Sequence, residues 1–168
     1  MPSATKVLSA GERRGRAIAD TVILDYAQRS AGKVAVKSVK GAPIDIDLRQ
    51  PVRLRTDDLL LLDDGTLVEV VAAPEPLIEA RGGADLPALA RLAWHLGDRH
   101  VPVQVLNNRI RAKRDPAIET LLKSLGAKVV PIEAPFEPEG GAYGSHAHHH
   151  DHAHDHAHGH HGHHHHDH

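Results

Sequence analysis

Residues 103–132 read VQVLNNRIRAKRDPAIETLLKSLGAKVVPI, and this stretch decides the fold of the second half of the chain. It begins with two short runs of β-favouring residues, 103–106 and 109–112. The turn-forming pair Asn107-Asn108 divides the two runs, so a β-hairpin is predicted here.

A helix and a further strand are predicted after the hairpin. Asp115 can cap the helix, and Pro116 suits its first position because the missing proline N–H would have no partner there. Gly126 is predicted to end the helix, and residues 127–132 to form the last strand. The apolar positions that recur at helical spacing are Ile118, Leu121, Leu122 and Leu125.

The same alternation of strand and helix precedes residue 103. Residues 77–80 can form a strand, Gly82-Gly83 turns the chain, and Asp85 can cap a helix that Gly97 ends. The apolar positions of this helix are Leu86, Leu89, Ala93 and Leu96. The predicted order is therefore β-α-β-β-α-β, which is that of a ferredoxin-like domain.

The first half of the chain is predicted to form strands. Turn signals such as Asp63-Asp64-Gly65 separate short β-favouring runs, which indicates a small all-β barrel or sandwich. The runs are 21–24, 34–36, 44–48, 59–62 and 67–71. Pro74 and Pro76 lie too close together for a central strand, so a domain boundary is predicted beside them.

These patterns predict an α+β protein of three parts. A small all-β N-terminal domain covers residues 1–74 and a ferredoxin-like domain covers residues 75–144. A disordered histidine-rich tail covers residues 145–168.

Composition and charge restrict the class of function. Residues 1–145 hold 20 basic and 19 acidic residues and only four aromatic side chains, so a nucleic-acid partner is not expected. The absence of cysteine excludes disulfides and thiolate metal sites. Because the first 25 residues contain no continuous apolar stretch, we expect no signal peptide, no membrane partner and a cytoplasmic location.

Residues 146–168 read HAHHHDHAHDHAHGHHGHHHHDH and hold 15 of the 17 histidines. Neutral imidazole is the commonest protein ligand for borderline transition metals, so this tail is predicted to bind metal. Its few apolar residues are alanines, which cannot offset the entropy of ordering it. The interrupting aspartates, alanines and glycines favour an encoded tail over a purification tag. The predicted ligands are His146, His148, His149, His150, His152, His154, His156, His158, His160, His161, His163, His164, His165, His166 and His168.

Three motifs resemble a known family. HLGDRHVPVQV spans residues 95–105, APFEPEGGAYG spans residues 134–144, and AAPEP spans residues 72–76. In this order, before a histidine-rich C-terminus, they resemble the urease accessory protein E family, the nickel metallochaperones of urease maturation.

The resemblance implies a homodimer joined through the ferredoxin-like domains, with Ni(II) as its cargo. It implies delivery to apo-urease in a complex with the other accessory proteins, including a GTPase, and a first domain similar to a chaperone peptide-binding domain. Nickel comes from the resemblance alone, because Zn(II) and Cu(II) also bind imidazole.

One motif departs from the family pattern. The resemblance implies a nickel-binding histidine at the dimer contact, in a motif like Asp-His-Val-Leu at the start of the second helix, where this chain has Asp115-Pro116-Ala117-Ile118. Because proline cannot coordinate a metal, we expect this paired interfacial site to be absent or rebuilt from other ligands, and the tail to hold most of the nickel.

Three residues before the tail could add ligands: His95, His100 and Asp115. His95 and His100 are five residues apart and do not share a helical face, so local hydrogen bonding is the competing interpretation. For Asp115 the competing interpretation is its capping role. Arg99 and Glu139 belong to the family motifs and are interpreted as polar contacts that support the fold or partner docking.

Catalysis is not expected, because the sequence has no nucleophile elbow, no phosphate-binding glycine loop and no HExxH pair. Two functions stay open. The chain either delivers nickel to urease, or stores and buffers transition metal on a body that only dimerises. Delivery alone requires the body to bind the GTPase.

Overall fold

A computed structural model describes residues 1–49, 52–82 and 86–140, which form two domains with two sheets and few helices. The elements of the first domain are β1 (Ser3–Leu8), β2 (Ile18–Leu24), α1 (Tyr26–Ser30), β3 (Lys33–Lys37), β4 (Pro43–Asp47), β5 (Leu59–Leu62) and β6 (Leu67–Ala72), with a 3-10 turn at Ala10–Arg13. Those of the second domain are β7 (Pro74–Arg81), α2 (Leu86–Asp98), β8 (Gln104–Leu106), β9 (Arg109–Lys113), α3 (Pro116–Ser124) and β10 (Lys128–Pro135).

The first domain is built on one six-stranded sheet with the order β2-β6-β5-β1-β4-β3. β1 pairs with β4, and β2 with β6, in parallel, whereas the other neighbours are antiparallel. The backbone N–H of Val39, just after β3, donates to the carbonyl of Thr21 in β2 over 2.8 Å, so the two edges of the sheet come together.

Alternation of apolar and polar residues explains the core of this domain. Ile44 and Ile46 of β4 are buried while the residues between and beside them are not, as expected for a strand with one face inward. The hairpin predicted at Asp63-Asp64-Gly65 is confirmed between β5 and β6, and Gly65 supplies the positive φ of +84° at its turn.

Two expectations for this domain need correction. It is not wholly β, since α1 and a 3-10 turn interrupt the strands. The central strand β1 was not predicted. Only Ala4 and Leu8 are buried in it, and a register shift between Ala4 and Lys6 interrupts its pairing with β5, so its sequence lacks a clear alternation of apolar and polar residues.

Residues 74–76 were predicted to lie outside any central strand because of their two prolines, and that prediction is wrong. Pro74 and Pro76 lie in β7, which is flanked by β10 and β9. Both prolines lie in the part of β7 that pairs only with β10, since pairing with β9 starts at Leu77. A proline is tolerated there because the ladder with β9, which would use the N–H that proline lacks, does not extend to that part of the strand.

The second domain has the predicted order β-α-β-β-α-β, with its sheet arranged β10-β7-β9-β8. Its core lies between the sheet and the two helices. The fully buried members are Ile78, Ala80, Leu92, Leu96, Ile110, Ala112 and Leu122.

The first helix of this domain differs from its prediction in two ways, and a third feature of the prediction is not tested. Leu86 was expected in the core but is 81% exposed, because it lies at the first turn beside the buried stripe, and Leu92 takes the core position. Gly97 does not end α2, which continues to Asp98. The cap predicted at Asp85 lies outside the described residues.

The second helix, α3, follows its prediction except at its last apolar position. Ile118 and Leu121 pack against the core, whereas Leu125 is 38% exposed because it caps the helix at its C-terminus. None of the helices in the described ranges is long and apolar enough to cross a membrane.

Candidate metal site and domain junction

The 15 histidines predicted as metal ligands all lie beyond residue 140, outside the described part of the chain. Their role as ligands stays a prediction. Within residues 1–49, 52–82 and 86–140, no three histidine or acidic side chains are grouped so that they could hold a metal ion.

The two histidines before the tail lie at the end of α2. His95 is half-buried in the last turns of the helix, and its carbonyl accepts a hydrogen bond from the Arg99 side chain over 3.1 Å. Arg99 therefore satisfies a carbonyl at the helix C-terminus, the fold-supporting polar contact that was one interpretation of this residue. His100 is exposed.

The backbone at His100 is unusual for a residue with a side chain. Its φ is +54°, in the left-handed region that favours glycine. The N–H of His100 donates to Gly97 over 2.9 Å and the N–H of Val101 to Leu96 over 3.0 Å, which is a Schellman end to the helix. The helix end therefore accounts for the left-handed backbone of His100.

Asp115 serves as the cap predicted from the sequence. Its carboxylate accepts from the backbone N–H groups of Ala117, over 2.8 Å, and Ile118, over 3.1 Å. Pro116 follows at the first position of α3. The capping role accounts for Asp115.

A junction between the two domains is built from α1. Asp25 caps this short helix by accepting from the N–H of Gln28 over 2.7 Å, and the Gln28 side chain accepts from the N–H of Asp25 over 3.0 Å. The capping box fixes the helix so that Tyr26 and Arg29 face the second domain.

Arg29 is the largest fully buried side chain in the described ranges, with 1% of its surface exposed. Its guanidinium donates to the carbonyl of Leu54 over 3.2 Å and to the carbonyl of Phe136. The carboxylate of Glu137 lies 3.9 Å away. Burial lowers the pKa of Arg29, and the charges of Glu137 and Glu75 oppose that effect.

The motif at residues 134–140 binds both domains. Phe136 is fully buried and packs edge-on against Tyr26, with ring centroids 5.3 Å apart. Glu137 accepts from the backbone N–H of Thr56 in the first domain over 3.3 Å. The backbone N–H of Glu139 donates to the carbonyl of Val103 in the second domain over 2.7 Å. Residues 136–139 therefore contact both domains and hold them together.

Glu75, at the start of the second domain, also joins the two domains. Its carboxylate accepts from the N–H of Tyr26 over 2.7 Å and lies 3.4 Å from the ammonium group of Lys113. The same ammonium group lies 5.3 Å from the centre of the Tyr26 ring. A buried carboxylate is thus matched by one N–H and one cation.

A second buried carboxylate, Glu79, lies within the sheet of the second domain. It is within 3.2 Å of side-chain nitrogens of Arg81, Arg109 and Arg111. Burial by itself would raise the pKa of Glu79, but hydrogen bonds from Arg81 and Arg111 and the charges of Arg109 and Arg111 outweigh it and lower the pKa. Glu79 is therefore held ionised.

Sequence reasoning did not find Arg29, Glu75 or Glu79. Arginine and glutamate are usually exposed in folded proteins, so their presence in the sequence does not predict that these three side chains are buried. Glu75 and Glu79 lie on one face of β7, opposite Ile78, because side chains alternate along a strand. Their even spacing was the feature of the sequence that could have predicted a shared face.

Two family models together match nearly the whole chain. The model described as the UreE urease accessory protein, N-terminal domain, matches residues 4–73, and that of the C-terminal domain matches residues 75–168. These ranges include both described domains.

Individual relatives are similar over most of the chain. The urease accessory protein UreE of Bradyrhizobium sp. (strain ORS 278) is 50% identical over 151 residues, which are 88% of this chain and 70% of that protein. The protein of the same name from Rhodopseudomonas palustris (strain BisB18) is 53% identical over 141 residues, 81% of this chain and 66% of that protein. That of Bradyrhizobium sp. (strain BTAi1 / ATCC BAA-1182) is 48% identical over 149 residues, 88% and 71% respectively.

The fold and the junction define a two-domain protein. Its β-rich first domain contacts the second domain, a sheet covered by helices, through the segment that precedes the histidine-rich sequence. The chain belongs to the UreE urease accessory protein family. The resemblance seen in the three sequence motifs is thereby confirmed.

Proposed function

We propose that this protein binds Ni(II) and delivers it to apo-urease during urease maturation, together with the other urease accessory proteins. Membership of the UreE family supports a role in urease maturation. The observation that carries the nickel role is the tract of 15 histidines in residues 146–168.

The chemistry of the tail suits transfer of a metal. Adjacent His-X-His units can wrap one ion, and many equivalent ligand sets let the ion move from one set to the next. Each ion takes about four to six donors, so the tail has room for a few ions per chain. Imidazole ligates only when it is neutral, so uptake should weaken below about pH 6.

His100 is the residue before the tail best placed to add a ligand. It is exposed, and its strained left-handed backbone is fixed by the helix end rather than by its side chain. Asp115 is a poorer candidate because its carboxylate accepts two backbone hydrogen bonds. For His95, the described contact involves only its carbonyl.

The remaining parts of the proposal come from the family. The protein acts in the cytoplasm as a homodimer joined through its second domain, residues 75–144, and docks the urease-maturation GTPase. Residues 1–74 form a peptide-binding-like domain, residues 145–168 form the histidine-rich metal-binding tail, and the protein is not an enzyme. Zn(II) and Cu(II) compete for the tail in vitro, because Cu(II) outranks Ni(II) on nitrogen ligands.

Storage or buffering of transition metal is the second candidate function. The number of imidazoles favours it, since a single delivered ion needs far fewer than 15 ligands. In that case the body would dimerise without binding the GTPase.

One set of variants separates delivery from storage. Deleting residues 146–168 should remove most Ni(II) binding measured by titration calorimetry at pH 7.5 and slow nickel-dependent urease activation in a reconstituted assay. A second deletion carrying His100→Asn tests the body ligand, because asparagine tolerates the left-handed backbone and lacks the imidazole. We expect residual Ni(II) binding in the first variant and none in the second.

The full-length His100→Asn variant is the matched control, since it keeps the whole tail. A pull-down with the GTPase and nickel then decides between the two functions. Delivery predicts that the deleted protein still binds the GTPase through its body. Absence of any GTPase contact by the full chain would exclude delivery, and unchanged nickel capacity after the deletion would exclude the tail as the site.

A further inference from the structure

A cavity of about 170 Å³ lies at the domain junction, beside the last described residue before the tail. One wall comes from the first domain and the other from the segment that follows β10. The lining residues are Arg29, Arg53, Arg55, Glu137, Pro138, Glu139 and Gly140.

The charged side chains around this cavity are incompletely paired. Glu137 faces Arg29 at 3.9 Å and accepts from the N–H of Thr56. Within the described residues, Arg53 and Arg55 have no carboxylate within 4.0 Å. Glu139 and Arg55 are both exposed, and the carboxylate of Asp58 accepts from the backbone N–H of Arg55 over 2.7 Å. The cations that line the cavity therefore have acidic neighbours in the described ranges but no close ion pair with them.

Arg29 itself lacks a full set of partners. Its Nε is buried and has no hydrogen-bond partner in the described part of the chain. The one carboxylate of residues 1–49, 52–82 and 86–140 within 4.0 Å of Arg29 is that of Glu137, at 3.9 Å, beyond hydrogen-bonding distance. Buried guanidinium groups are normally paired, since an uncompensated buried charge is costly.

We propose that this cavity binds a small oxyanion, namely a carboxylate or phosphate group, either free or at the end of a larger molecule. The guanidinium group presents paired N–H donors that match the oxygens of such groups, and three guanidinium groups line the cavity. A water molecule occupies about 30 Å³ in the liquid, so the volume accommodates one oxyanion with a few waters.

Binding at this position would join the two domains. The arginines belong to the first domain, whereas residues 137–140 follow the last strand of the second. A bound oxyanion would therefore stabilise the junction and lie next to Gly140, where the chain continues toward the tail. The site is independent of nickel binding by the tail.

Titration calorimetry of the metal-free full-length protein with inorganic phosphate and, separately, with succinate tests this site. Measurements at pH 8 and constant ionic strength keep the tail imidazoles neutral. We expect phosphate to bind with a dissociation constant below about 1 mM. The double substitution Arg53→Gln/Arg55→Gln should weaken binding by about tenfold or more, because it removes charge-assisted hydrogen bonds.

Arg91→Gln/Arg114→Gln is the matched control, since both arginines are exposed on the second domain. The control should bind phosphate as the unchanged protein does, and thermal unfolding should show that both double variants are folded. Phosphate should also raise the unfolding temperature of the unchanged protein and not that of Arg53→Gln/Arg55→Gln. Binding of succinate alone would assign the site to carboxylates. No saturable binding of either anion, or equal weakening in the control, would overturn the proposal.

Discussion

Two buried charges stabilise this protein in opposite ways, one between its domains and one within its second sheet. Arg29 is a cation whose hydrogen bonds go to two backbone carbonyls, with the nearest carboxylate 3.9 Å away. Glu79 is an anion with three guanidinium groups within 3.2 Å. The first is incompletely neutralised, and the second is surrounded by excess opposite charge.

The difference shows what each charge does for the fold. The carbonyls that Arg29 contacts belong to Leu54 and Phe136, so one side chain joins segments of both domains. The ion pairs of Glu79 within the described residues are with arginines of β7 and β9, so Glu79 joins neighbouring strands. Loss of Arg29 should separate domains, whereas loss of Glu79 should weaken one sheet.

Arg29→Met should have the largest effect. Methionine keeps much of the volume but leaves the carbonyls of Leu54 and Phe136 without donors, and we expect a loss of about 3 kcal/mol in the free energy of unfolding. Chemical denaturation measures this loss. We also expect two unfolding transitions in place of one, since the domains lose a shared contact. The exposed Arg91→Met is the control, and a similar loss there would contradict a specific role for Arg29.

Glu79→Gln should have the second largest effect, about 2 kcal/mol, because three arginines are left facing a neutral amide. The pH dependence follows from the lowered pKa of Glu79. A carboxylate with a lowered folded-state pKa stabilises the fold above its unfolded value of 4.5, and the effect disappears as the pH falls through the folded-state pKa.

The difference in stability between the unchanged protein and Glu79→Gln should thus be greatest near neutral pH and shrink below about pH 4. Urea denaturation between about pH 3 and pH 7, roughly the range over which such a carboxylate titrates, would measure this difference in stability. A difference that stays constant over that range would show that packing, and not charge, carries the effect.

The smallest effects should come from the arginines around Glu79, and they should differ from each other. The Arg111 side chain is 20% exposed, whereas that of Arg81 is 52% exposed, so solvent screens Arg81 more. We expect Arg111→Gln to cost about 1 kcal/mol and Arg81→Gln about half of that or less. Equal losses in denaturation experiments would indicate that exposure does not set the strength of these pairs.

The two sheets also differ in how far the sequence predicted them. In the second domain the hairpin at Asn107-Asn108 and the cap at Asp115 are local signals, and the element order they imply is observed. In the first domain β1 lies between β5 and β4, and β2 lies next to β6. Those neighbours are distant in sequence, so periodicity, which predicted β2 and missed β1, cannot predict which strands pair.

The features of the candidate site also fall into those that the sequence predicted and those that it did not. The histidines of the tail, the cap at Asp115 and the family motifs are visible in the sequence, because each depends on residue type and spacing. The strained φ of His100 was not predicted, since Gly97 three residues earlier was the expected helix end. A glycine predicts the wrong end of a helix when a different residue takes the left-handed conformation that closes it.

The family and the alternation of strands and helices in the second domain could be recognised from residue types and spacing alone, and the same signals lead to the prediction that the tail binds metal. These signals are local, so capping, periodicity and composition are enough to carry them. Which charges are buried became visible only in the folded chain. Arg29 and Phe136 are 107 residues apart, and their contact exists because the folded chain brings α1 against the segment after β10. Burial and neutralisation of a charge depend on such distant neighbours, which sequence spacing does not contain.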